Sequence, residues 1–257
     1  MKVAVPRRRA FTLLELLITI GLIAALLSLL LPALGNMAGL ARSHRCKMSL
    51  RAAAFDFAMF ADDELHPNRG EDERRFQGRF FRLETFIDSQ YGAGEFWRHG
   101  EIQTATLPDQ DGNDPLRCPE IKATLQIARH ARCVDGAILT PRAVSFGFNM
   151  RLHRAEVTFP NGMVGARTVL LSSADLQHPN APLAWDVDGE LAYEKRQRPV
   201  ISAPTLGSQA VYAGERYWFP ALRHNRMMNV AFLGGHVLSS SAPLDEPGWE
   251  WSYQGGD

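Results

Sequence analysis

The chain has 257 residues, 46% apolar and 22% charged, with no formal net charge. That balance is globular and excludes a wholly disordered chain. It gives no electrostatic pull toward nucleic acid, and no basic stripe interleaved with aromatics supplies one, so no nucleic-acid partner is expected. Three cysteines, Cys46, Cys118 and Cys133, exclude a disulfide-dense scaffold and allow at most one internal bridge.

The average hides an asymmetry at the N-terminus. Lys2, Arg7, Arg8 and Arg9 precede a stretch from Phe11 to Leu34 in which Glu15 is the one charged residue. A helix of about 20 apolar residues crosses a hydrocarbon core. Basic residues before such a helix hold that end in the cytoplasm and send the C-terminal body to the other side. A secretory signal would end in a small-residue cleavage site, and Ala33-Leu34-Gly35 is a poor one. Neither a signal peptide nor a plain anchor accounts for Glu15, because a carboxylate inside a membrane helix is costly and needs a partner.

Residues 7–15, Arg-Arg-Arg-Ala-Phe-Thr-Leu-Leu-Glu, resemble the prepilin cleavage and methylation motif of type IV pilin-like proteins and type II secretion pseudopilins. The resemblance implies a leader, 1–10, removed by prepilin peptidase between Ala10 and Phe11, followed by methylation of the new Phe11 amine. The family usually has glycine where Ala10 stands. Glu15 would pair with that amine, on its own chain or a neighbour's, and so set the register of assembly. Pro32 stands where the family often has a helix-kinking proline. The expected partners are the peptidase, other pilin-like subunits and the membrane. The expected location is the inner (cytoplasmic) membrane, single-pass, with the N-terminus cytoplasmic and the body periplasmic.

Beyond the transmembrane segment, 11–34, the helix is expected to continue as an amphipathic stretch, 35–62. Pro32, Gly35 and Gly39 should weaken or bend it. Met48, Ala52, Phe55 and Met59 recur at helical spacing and are the expected packing face, with Arg42, Arg45, Lys47 and Arg51 as polar positions. Asp62-Asp63 suggests its end. The remainder, 63–257, reads as a soluble α+β domain. A short helix is expected over 79–90 and another within 121–133, with irregular chain over 91–120. Strands are expected at 144–150, 168–172, 183–187 and 229–238, the last containing a hairpin turn at Gly234-Gly235. The whole reads as a long N-terminal helix packed on an antiparallel sheet, which by resemblance is the pilin plan.

Body segments carry a second resemblance, to the pilin-like branch named for a processing-associated H-x9-DG motif. Cys46 to Asp63 looks like its post-membrane helix. Cys118-Pro119 matches a frequent Cys-Pro, and Ser145-Phe146-Gly147-Phe148-Asn149 an S-Y-G-x-N segment. Arg223-His224 through Gly234-Gly235-His236 resembles the motif itself, with Gly234 in place of the aspartate. Cys118 with Cys133 would close a short loop. Cys46 with Cys118 is the alternative, since both positions look like the family's.

Other chemistry is sparse. Asp109, Asp111, Asn113 and Glu120 have oxygen ligands at spacings that resemble a calcium loop, but Asp114 replaces the glycine of the sharp turn. No cofactor is expected: a solvated acidic turn is a simpler reading here than a calcium site. Asp186 to Glu190 is a weaker oxygen cluster. His224 and His236 lack the nearby cysteine or second histidine of a zinc signature. No nucleophile elbow, phosphate loop or nucleotide fingerprint is present. The chain therefore reads as the substrate of an enzyme rather than an enzyme. A membrane-anchored binding module that reuses the export signal is the alternative, and an anchored hydrolase with a metal at His224 and His236 a third reading.

Overall fold

The computed structural model describes residues 12–66, 79–91, 118–121, 144–195, 201–206 and 218–256, with backbone alone at 32–36, 38, 88 and 193. The expected helix within 121–133 lies outside these residues. So do Ala10, Phe11, Asp109, Asp111, Asn113 and Cys133.

The first helix, α1, runs unbroken over Leu13–Ala61, through Pro32, Gly35 and Gly39. The chain divides into two compact units, Met1–Ala41 and Arg42–Asp257, and α1 contributes to both. In the first unit, Leu13–Leu31 is 19 residues, none buried, long and apolar enough to cross a membrane. At 1.5 Å per residue it covers roughly 28 Å, close to a hydrocarbon core.

In the second unit, α1 buries one face. Cys46, Leu50, Ala53, Ala54, Phe57, Phe60 and Ala61 are all buried. They recur every three or four residues, the spacing of one helical stripe. This corrects the expected face: Met48, Phe55 and Met59 are 48%, 61% and 39% exposed. Both stripes are apolar, so periodicity alone cannot choose between them. The alanines of the buried stripe let the helix approach closely. Phe57 and Phe60 then meet Phe81 and Phe86 at ring separations of 5.0 to 5.7 Å. The helix stops where Asp62 turns the chain, its carboxylate accepting from the Glu64 and Leu65 N–H groups.

The second helix, α2, covers Leu83–Tyr91. Leu83, Phe86 and Ile87 are fully buried, and the Tyr91 hydroxyl donates to Asp56 of α1 at 3.4 Å. Burial, reinforced by the Asp56 charge, pushes the Tyr91 phenol well above its ordinary pKa.

The strands are β1 (Phe146–Asn149), β2 (Arg154–Thr158), β3 (Val164–Thr168), β4 (Pro182–Asp186), β5 (Ile201–Ser202), β6 (Met228–Phe232) and β7 (Val237–Ser240). A third helix, α3 (Gly189–Glu194), follows β4. The main sheet has the order β5-β1-β4-β6-β7, antiparallel except for the β1–β5 pair. β2 and β3 form a separate hairpin. The fold is α+β, consistent with a pilin-like plan.

The main sheet is apolar on both faces, which is why β4 and β6 are buried throughout. Ala231 and Leu233 join the core that holds α1 and α2. Met228, Val230 and Phe232 alternate with them and pack with Trp185 and Trp251. Trp218 and Trp249 flank this second cluster, so the late aromatics are packing residues.

Two expectations change. The stretch 168–172 is not a strand: β3 ends at Thr168, and Leu171 makes only an isolated bridge to Phe81. Ser172 and Asp175 form a capping box that opens a short 3-10 turn, drawing the chain away from the sheet. The β2–β3 hairpin was not anticipated, although Asn161-Gly162 is a turn signal. Its loop has the same construction as the β6–β7 loop. Phe159 pairs with Met163 around a three-residue loop closed by Gly162 at φ +79°, and Phe232 pairs with His236 around Leu233–Gly235, with Gly235 at φ +82°. The second hairpin therefore turns on three residues, not on Gly234-Gly235 alone.

Cys46 and Cys118 form a disulfide, with Cα atoms 5.4 Å apart. Cys118 is thereby used, and the shorter loop to Cys133 is not the bridge formed. Closing a sequence separation of 72 corresponds to about 4 kcal/mol in the chain-entropy picture.

Phe57→Ala should cost about 3–5 kcal/mol. Phe55→Ala, two residues earlier on the same helix, should stay within about 0.5 kcal/mol. Urea denaturation of the detergent-solubilised protein checks both. Equal losses would mean that the buried face is misassigned.

Candidate functional site

At the head of α1, Thr12 and Glu15 form a reciprocal cap. The Glu15 N–H donates to the Thr12 hydroxyl at 3.2 Å, while the Thr12 N–H and hydroxyl both donate to Glu15 Oε2 at 3.0 Å. Thr-Leu-Leu-Glu is a capping-box sequence, and an acid in the first turn also complements the helix dipole. The sequence reading missed this role for Thr12, although the spacing was legible. Glu15 thus has a local partner whether or not a new amine forms at Phe11. Pro32 lies within α1.

The second feature is a buried polar cluster in the body. His224 is 5% exposed, and its Nε2 lies 3.4 Å from Cys118 Sγ and 3.9 Å from Asp186 Oδ2. Its Nδ1 lies 3.4 Å from Glu120 Oε2, outside hydrogen-bond geometry. Asp186 ends β4 and is fully buried. Its Oδ2 accepts the Asn229 N–H at 2.9 Å, and its Oδ1 stands 3.5 Å from the Arg223 guanidinium. Burial pushes the Asp186 carboxyl above the usual range, against the opposing pull of Arg223, the Asn229 N–H and His224.

Arg223 also ties the sheet together at this end. Its two terminal nitrogens donate to the carbonyls of Val187 and Ser145, each at 2.7 Å. Those carbonyls lie just beyond β4 and just before β1, where the Ser145 carbonyl also accepts the Val187 N–H at 2.7 Å, so the guanidinium reinforces the last rung between the two strands. Asn149, at the other end of β1, donates to the Pro182 carbonyl at 2.8 Å and accepts from the Arg151 N–H.

The four body segments singled out in the sequence therefore meet here. Cys46 bonds Cys118, Cys118 touches His224, and Arg223 reaches Ser145. Sequence reading missed Asp186 as the central acid, because nothing local sets it apart from Asp188. Asp188 itself is a helix cap, accepting from the Glu190 and Leu191 N–H groups. His224 also does have a cysteine beside it, contrary to expectation: Cys118 is close in space at a separation of 106 residues. By sequence His236 is a candidate metal ligand together with His224, and a histidine beside a turn is the simpler reading. In the structure His236 stacks on Phe232, with ring centres 4.6 Å apart.

Gly234 has a geometric reason to be glycine. A Cβ there would lie 2.7 Å from Pro179 Cβ and 2.9 Å from its carbonyl oxygen. Of the residues considered for calcium, only Glu120 is described; its carboxylate faces Arg42 at 3.9 Å as well as His224.

A family model described as the prokaryotic N-terminal methylation motif matches residues 5–31. The matched segment contains Arg7, Arg8, Arg9, Glu15 and the exposed apolar part of α1, and it supports a prepilin-type, pilin-like chain anchored in a membrane by this helix. No curated protein matches, and no solved structure matches.

Gly234→Asp, which restores the residue common in the resembled motif, should destabilise this protein by about 1–3 kcal/mol through overpacking against Pro179. Thermal or urea unfolding reads this. Arg223→Leu should cost about 3–5 kcal/mol by leaving Asp186 without its counter-charge, and adding Asp186→Leu should recover much of it. A double-mutant cycle with additive losses would show that the pair is not coupled.

Proposed function

We propose that this chain is a pseudopilin-type subunit of a type II secretion or type IV pilus-like system. It is inserted with its N-terminus in the cytoplasm, trimmed by prepilin peptidase between Ala10 and Phe11, and methylated on Phe11. It assembles by lateral packing of the helix through Phe11–Leu34, with the body displayed outside the inner membrane. In this reading the chain is processed and assembled and performs no chemistry of its own. The observation that carries it is the methylation-motif match over residues 5–31, laid on an apolar helix in which no residue of Leu13–Leu31 is buried.

Glu15 has two roles in this reading. Before cleavage its carboxylate closes the Thr12 cap. After cleavage a positive amine stands four residues away, on the same chain or a neighbour, and offers a charge that the cap does not. The convergence of Cys46, Cys118, Ser145 and Arg223-His224 in one place supports assigning the body to the H-x9-DG branch.

N-terminal sequencing and intact mass of the protein, extracted from membranes of a host carrying the peptidase, should give a mature start at N-methyl-Phe11. An intact Met1, or a cut beyond the apolar segment, would overturn the assignment. Glu15→Leu should leave cleavage intact and abolish assembly in a cross-linking or filament assay. Thr12→Ala removes only the cap and should assemble. Equal behaviour of the two variants would reduce Glu15 to a capping residue and favour a simple tether.

A further inference from the structure

We propose that Cys46, Cys118 and His224 form a binding site for a thiophilic divalent cation of the zinc class when their disulfide is reduced. Among the described residues they are the group of His, Cys, Asp or Glu side chains whose ligand atoms could share an ion, all lying within 4.8 Å of one another. Each of the three is buried.

The spacing fits one ion. With Zn–S near 2.3 Å and Zn–N near 2.0 Å, two ligands on a tetrahedral zinc stand roughly 3.5–3.8 Å apart. His224 Nε2 already stands 3.4 Å from Cys118 Sγ. Breaking the bridge frees the two sulfurs to separate to such a distance. Asp186 Oδ2 lies 3.9 Å from the same nitrogen but is outside the ligand group, so water would complete a four-coordinate ion. Glu120 lies on the far side of the imidazole, 3.4 Å from Nδ1 but not hydrogen-bonded to it, so a small reorientation of its carboxylate would make it the orienting partner of a metal-bound histidine. Arg223, 3.5 Å from Asp186, balances that carboxylate, and the dication itself offsets the two thiolates.

Loading begins with reduction. A phosphine or dithiol reductant supplies two electrons, the Cys46–Cys118 S–S bond breaks, and each sulfur takes one proton. A phosphine is oxidised to its oxide with oxygen and both protons from water; a dithiol becomes a disulfide. The cation then displaces both thiol protons, two metal–sulfur bonds form, and the Nε2 lone pair supplies a third ligand. Disulfide and metal centre are therefore mutually exclusive states of one site.

The test uses the full-length protein in detergent, with Cys133→Ser to remove the third thiol. It is reduced with a phosphine, equilibrated with zinc and freed of excess by gel filtration. About one zinc per chain should remain by elemental analysis, and the oxidised protein should retain none. Cobalt in place of zinc should give a thiolate charge-transfer band that His224→Gln weakens or abolishes. Cadmium NMR of the parent, which needs no further variant, should report two sulfur ligands. No retained zinc after reduction, equal retention by the oxidised form, or fewer than two sulfurs on cadmium would overturn the proposal. A His224→Gln protein that binds zinc as tightly as its parent would overturn the role of His224. Glu120→Gln should weaken binding roughly 10- to 100-fold.

Discussion

The body is organised by the burial of one helical stripe. From Cys46 to Ala61, α1 turns a face of small and aromatic residues into the core beneath the main sheet. Each buried aromatic side chain contributes a few kcal/mol of transfer free energy, so this face fixes the rotation of the helix. Once that rotation is fixed, Cys46 lies against Cys118, and α2 has only one apolar surface on which to dock. A rotation of the helix by roughly half a turn would put Met48 and Phe55 inward, strand Cys46, and expose Phe57.

The polar cluster results from the same arrangement. A sheet this apolar on both faces has little room for charge, yet Asp186 lies fully buried at the end of its central strand. It is tolerated because Arg223, itself held by two strand-end carbonyls, stands beside it, and because a backbone N–H from β6 fills one of its oxygens. The guanidinium acts as a planar clamp across the last hydrogen-bonded rung between β1 and β4. Lysine could carry the charge but not the fork. The same packing brings His224 to the disulfide, so electrostatic support and sulfur chemistry share a single pocket of the body.

The membrane half of α1 was legible because its signal is one-dimensional. Basic residues, then an apolar run with a lone acid, define it without any tertiary contact. The strands at 183–187 and 229–238 were legible for a similar reason, since continuous apolar runs end at turn residues. The stripe on α1 was not, because two apolar stripes lie on the same helix and only the partner surface decides between them. The pairing of Asp186 with Arg223 and the approach of Cys118 to His224 were not, because both depend on residues far apart along the chain. The capping role of Thr12 and the β2–β3 turn were present in short sequence signals, but the stronger membrane and strand patterns nearby drew the reading away from them.

The Cys46–Cys118 bond has a mechanical consequence. It joins the first buried position of α1 among the described residues to a segment 72 residues further along, inside the same unit. A subunit pulled along its helix would ordinarily fail by peeling, one turn at a time, from the end where tension enters. Here that end is bonded covalently to a distant segment of the same core, so tension passes through the bond before the helix can peel and loads the core in shear. Reduction of a single bond would convert a shear-resistant joint into one that unzips.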